Sequence, residues 1–75
     1  MQNSQIELNP RVCGGKPVIR GTRIPVVVIL DELAGGASWE ELLADWPQLK
    51  RDDITAALEY AKTAIEHTDI SSWAV

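Results

Sequence analysis

Residues 38–66 read SWEELLADWPQLKRDDITAALEYAKTAIE, and their punctuation decides the fold. Ser38 followed three residues later by Glu41 is a capping box: the hydroxyl accepts from the Glu41 backbone N–H, and the carboxylate reaches back. Trp39, Leu42, Leu43 and Trp46 then recur at i, i+3, i+4 and i+7, which is one face of a helix. Pro47 disfavours the α region at Trp46 and ends that helix. A second, longer helix follows from about Arg51 to Glu66. Its buried stripe is expected to be Ile54, Ala57, Leu58, Ala61 and Ile65. Asp52 and Asp53 fall in its first turn, where the macrodipole favours carboxylates.

Outward toward the N-terminus the pattern is less decisive. Val26-Val27-Val28-Ile29-Leu30 is β-branched, as a strand would be. Val26, Ile29, Leu30 and Leu33 nevertheless share a helical face, Pro25 suits a first helical position, and Gly35-Gly36 supplies a stop, so the balance tips to helix. Before it, Val18–Ile24 reads as a tight hairpin around Gly21-Thr22, with Gly21 first of two central residues in a type II′ turn. Ile6-Glu7-Leu8 reads as a short strand, with residues 1–5 frayed before it. The expectation is one mainly α domain over 1–75. It has a strand and hairpin arm over 6–25, three helices over 26–66 and a tail over 67–75. Two short helices joined at 47–50 and packed by a preceding one form a helix-turn-helix.

Composition excludes more than it assigns. The 75 residues hold one cysteine, Cys13, and one histidine, His67. No internal disulfide can form, and a four-ligand Cys/His zinc site lacks its ligands. No phosphate-binding glycine fingerprint is present. No catalytic group, metal or cofactor is therefore expected, and the chain reads as a non-enzyme. Cys13 reads as a small buried hydrophobe, or alternatively as a thiol activated by Lys16. With no export signal and no apolar run longer than Ile24–Leu30, the expected compartment is the cytoplasm, away from membranes. So small a core points to a homodimer.

The net charge of −4 is unevenly placed. Residues 1–25 carry Arg11, Lys16, Arg20 and Arg23 against Glu7 alone, whereas 26–75 carry a net −7. Arg20 and Arg23 at the hairpin tip are candidates for nucleic-acid phosphates, with protection of a sheet edge as the plainer alternative. If the last helix reads DNA, its N-terminal residues Lys50, Arg51 and Thr55 face the bases, while Asp52, Asp53 and Glu59 oppose phosphate. In the tail, Ile70 and Trp73 are either packed back on the last helix or anchors for a protein partner.

The run Cys13-Gly14-Gly15-Lys16-Pro17-Val18-Ile19-Arg20-Gly21-Thr22-Arg23-Ile24-Pro25-Val26, preceded by Asn9-Pro10, resembles the signature of the bacterial domain-of-unknown-function family 433. Leu42, Pro47, Leu49, Asp53-Ile54 and Ala56-Ala57-Leu58 extend the resemblance, which covers roughly residues 6–62. It implies a homeodomain-like helix-turn-helix with Val26–Ala34 helical. It also implies an antitoxin of VapB type, paired with a PIN-like ribonuclease toxin and acting on operator DNA. A DNA-binding regulator without a toxin is the alternative. Lys50 departs from the family pattern, which usually offers Ser or Thr there. Lysine cannot accept a hydrogen bond, so the helix start is expected to be weaker by up to about 1 kcal/mol.

Overall fold

The structure is a computed structural model that describes residues 5–67. Strand β1 (Ile6–Glu7) is followed by a short 3-10 turn (Cys13–Gly15), strand β2 (Val18–Ile19), and helices α1 (Val26–Ala34), α2 (Trp39–Asp45) and α3 (Arg51–Glu66). The fold is thus mainly helical, with a two-stranded antiparallel sheet near the N-terminus. Ile6 lies opposite Ile19 and Glu7 opposite Val18.

The hairpin tip differs from its expected frame. Thr22 N–H donates to Ile19 O at 3.0 Å, so Arg20 and Gly21 are the central residues of the turn. Gly21 occupies the second central position, not the first, with φ of +83°. That backbone is what a type II turn requires there, and glycine adopts it without strain. The shift has a cause in Thr22. Its hydroxyl donates to Ile19 O at 2.8 Å and accepts from Ile24 N–H at 3.0 Å, which widens the loop. The strand partner of β2 is β1; the return limb adds a single bridge between Val18 and Pro25.

Helix wins over strand at Val26–Ala34 because tertiary packing outweighs propensity. Val26 and Ile29 are buried, and Leu30 and Leu33 pack against the core from the same face. Pro25 is the N-cap residue, one position earlier than expected. In α2 the capping box forms as read: Glu41 N–H donates to Ser38 Oγ at 3.1 Å, and Ser38 N–H to Glu41 Oε1 at 2.8 Å. Leu42 is fully buried. Trp46 is half-buried, and its Nε1–H donates to Glu32 Oε2 of α1 at 3.1 Å. Leu49 N–H closes the short connection onto Trp46 O at 2.8 Å.

The core is centred on Val18, Ile19, Ile29, Leu42 and Ile54. The expected stripe of α3 holds only in its first half. Ile54 and Ala57 are buried, together with Ala56, but Leu58 is 40% exposed and Ile65 70% exposed. The buried face is turned from the expected stripe: Asp53, Ile54, Ala56 and Ala57 are buried and Tyr60 packs on the core, which leaves Leu58 at the margin of that face. Among the described residues, no helix is long and apolar enough to cross a membrane.

Candidate functional site

Asp53 is the sole buried charged side chain among the described residues. A buried carboxylate must be hydrogen-bonded to be tolerated, and both of its oxygens are. Oδ2 accepts from the Lys50 backbone N–H at 3.0 Å. Oδ1 accepts from Gln5 Nε2 at 2.9 Å, across 48 positions of sequence. Lys50 is the N-cap of α3 and offers donors only, so one half of a capping box operates here: the half supplied by Asp53.

Gln5 carries the connection onward. Its carbonyl accepts from Arg20 N–H at 2.7 Å, which continues the β1–β2 pairing by one residue. Residue 5 therefore belongs to the folded body, against the expectation that 1–5 are frayed. The Arg20 side chain turns back over the sheet, and Nη2 donates to Ile6 O at 3.1 Å. Ile6 sits opposite Ile19, whose own N–H points away to Ile24 O. In an antiparallel pair that geometry turns the Ile6 carbonyl to the open edge of the sheet. The Arg20 guanidinium thus covers an acceptor at the sheet edge.

These contacts floor an open cleft of about 550 Å³, lined by Gln5, Arg20, Gly21 and Thr22 of the arm and by Gln48, Lys50, Asp52 and Asp53 at the start of α3. It brings together two cations expected to meet nucleic acid, Arg20 and Lys50, from segments 30 positions apart. Asp52 adds a carboxylate, while Asp53 has its charge spread over two donated hydrogen bonds. The other candidates lie elsewhere. Arg51 stacks on Trp39 of α2 at 5.3 Å and pairs with Glu40 at 3.6 Å. Thr55 and Arg23 are exposed outside the cleft. Ile70 and Trp73 fall outside the described residues.

Cys13 is exposed, not buried. It takes φ of +52°, in the left-handed region, because the chain reverses through Cys13-Gly14-Gly15; its Sγ lies 3.6 Å from Arg23 O. Among the described residues, no three His, Cys, Asp or Glu side chains converge where a metal could bind. Gln5 and Gln48 escape a reading by sequence, and Asp53 is legible there as a first-turn carboxylate of α3 but not as the acceptor for Gln5. Only Asp53 leaves a signal, as an acid three residues after a helix N-cap.

Residues 6–61 match the family described as protein of unknown function, DUF433. An uncharacterized protein of Sinorhizobium fredii, y4eO, is 43% identical over 54 residues, which cover 72% of this chain. The match spans about a quarter (24%) of that relative's length. The crystal structure of a DUF433 member from Anabaena variabilis superposes with a TM-score of 0.78 at 43% identity. It covers 87% of this chain and 63% of that one.

Proposed function

The chain belongs to the DUF433 family, and from that membership we propose that it is an antitoxin-like binding module which neutralises a PIN-like ribonuclease and binds operator DNA as a homodimer. The observation that carries the nucleic-acid part is the cleft in which Arg20 and Lys50 face one space from two separate elements. On this reading α2 and α3 act as a homeodomain-like helix-turn-helix. Arg20 and Arg23 contact the phosphate backbone, which positions the protein, and Lys50, Arg51 and Thr55 lie toward the bases, which specify the site.

The ribonuclease part rests on the family resemblance and on charge. Positions 24–49, which hold α1 and α2, carry Asp31, Glu32, Glu40, Glu41 and Asp45 and no lysine or arginine. Such a surface complements the basic groove in which a nuclease holds RNA. Ile70 and Trp73, which lie outside the described residues, are the apolar anchors for the partner on this reading.

The experiment is purification of the tagged full chain from its own cells, followed by a ribonuclease assay on what accompanies it. A PIN-like nuclease recovered in stoichiometric amount, silent until the chain is removed, is the expected result. Recovery of operator DNA without a nuclease would leave the stand-alone regulator in its place. Recovery of neither would overturn both.

A further inference from the structure

Three hydrogen bonds form a continuous path between the backbone amides of Lys50 and Arg20, the two cationic residues of the cleft. Lys50 N–H donates to Asp53 Oδ2 at 3.0 Å, Gln5 Nε2 donates to Asp53 Oδ1 at 2.9 Å, and Arg20 N–H donates to Gln5 O at 2.7 Å. No other buried charge is found among the described residues. Asp53 satisfies two donors from segments far apart in sequence, and its removal would leave both without that acceptor.

We propose that Arg20 and Lys50 form a preset clamp for one segment of nucleic-acid backbone, and that Asp53 is the positioning residue that fixes its span. This rests on the nucleic-acid reading above and deepens it. The arm is anchored in the core by the buried side chains of Ile6, Val18, Ile19 and Ile24, and the Gln5–Asp53 bond adds a side-chain tie from the arm to the start of α3. With the path intact, the backbones of Arg20 and Lys50 stand at one separation, so the two side chains reach the cleft from fixed anchor points. With the path cut, the turn that carries Arg20 loses its polar tie to the start of α3, and more of the ordering of each cation falls at its own entropic cost.

A simple capping role for Asp53 makes a different prediction, and Gln5 separates the two. Gln5→Ala cuts the path on the arm side and leaves the Asp53–Lys50 cap untouched. Affinity for a duplex from the chain's own promoter is measured at one low salt concentration for Arg20→Gln, Lys50→Gln and the double variant. The three are made in the wild-type chain and again with Gln5→Ala and with Asp53→Ala. Thermal unfolding of each confirms that it is folded; if Asp53→Ala does not fold, Gln5→Ala alone carries the test. In the wild-type background, the double variant is expected to bind at least about twofold tighter than the two single losses multiplied together, the signature of coupled contacts. In either cut background the losses multiply. Asp53→Asn, which keeps an acceptor for Lys50 N–H and can pair with a turned Gln5 amide, restores the coupling. Simple multiplication in the wild type, or coupling that survives Gln5→Ala, overturns the clamp while leaving DNA binding in place. No binding of any duplex overturns the clamp and the DNA part of the proposed function together.

Discussion

The Arg51 guanidinium lies over the ring of Trp39, its Cζ 5.3 Å from the ring centroid, with Nη1 3.6 Å from Glu40 Oε2. The first residue of α3 is thereby tied to the first turn of α2. The pair is exposed, with 61% of the Arg51 side chain accessible, so solvent screens it. An exposed cation–π contact contributes about 0.5–1 kcal/mol and an exposed ion pair about 0–1 kcal/mol. Arg51→Ala should lower stability by about 1 kcal/mol in urea unfolding. Arg51→Lys should recover less than half of the loss, because a lysine ammonium lacks the flat face that stacks. An Arg51→Lys variant as stable as the wild type would show that only charge matters at this position.

Lys50 is where stability and nucleic-acid affinity should move in opposite directions. Lys50→Ser gives α3 the acceptor its N-cap lacks and completes the box that Asp53 half supplies. An N-cap serine is worth about 0.5–2 kcal/mol over a residue that cannot accept. The same change removes a cation from the cleft. The variant should unfold at higher urea, bind promoter duplex more weakly, and show a shallower salt dependence by about one counterion. A variant that gained no stability would mean that Asp53 alone satisfies the start of α3.

How much of this could be read beforehand depends on the range of the forces involved. The ends of α2 are set by local chemistry, Ser38 with Glu41 and Pro47 after Trp46, and local chemistry is legible in a sequence. Val26–Ala34 was balanced between two local preferences, and packing of Ile29 in the core decided it. The apolar stripe of α3 is visible as a period. Which side of that period faces the core is not, because Asp53, Ala56 and Tyr60 are drawn inward by contacts with distant segments. The cleft was half legible. Arg20 and Lys50 stand out as cations, but the bond from Gln5 to Asp53 spans 48 positions and no periodicity announces it. The turn at Gly21 moved by one residue through the Thr22 hydroxyl, a side-chain effect that a two-residue turn template does not contain.

The two halves of α3 should respond differently to the same truncation. Ile54 is fully buried, and Ile54→Ala leaves a cavity that costs about 2–5 kcal/mol. Ile65 is 70% exposed, so Ile65→Ala should change stability by less than about 0.5 kcal/mol in dilute protein. Equilibrium urea unfolding at low and high protein concentration measures both. A loss of 1 kcal/mol or more at Ile65 that grows with protein concentration would place that residue in contact with a second copy.

Trp46 offers a probe inside the fold for the joint between α1 and α2. Its indole N–H donates to Glu32 Oε2 at 3.1 Å, with both side chains half-buried. A hydrogen bond to a charged acceptor contributes about 1.5–3 kcal/mol when buried, and partial exposure places this one at the lower end. Glu32→Gln keeps an acceptor of the same shape and should cost under about 1 kcal/mol. Glu32→Leu leaves the indole N–H facing an apolar chain and should cost more than Glu32→Gln by about 1 kcal/mol, because an orphaned donor carries its full desolvation penalty. Thermal unfolding orders the two variants, and the Trp46→Phe background, which removes the donor, should bring Leu and Gln at position 32 to nearly equal stability. If the gap between them persisted without the indole, the joint would owe its stability to something other than this bond.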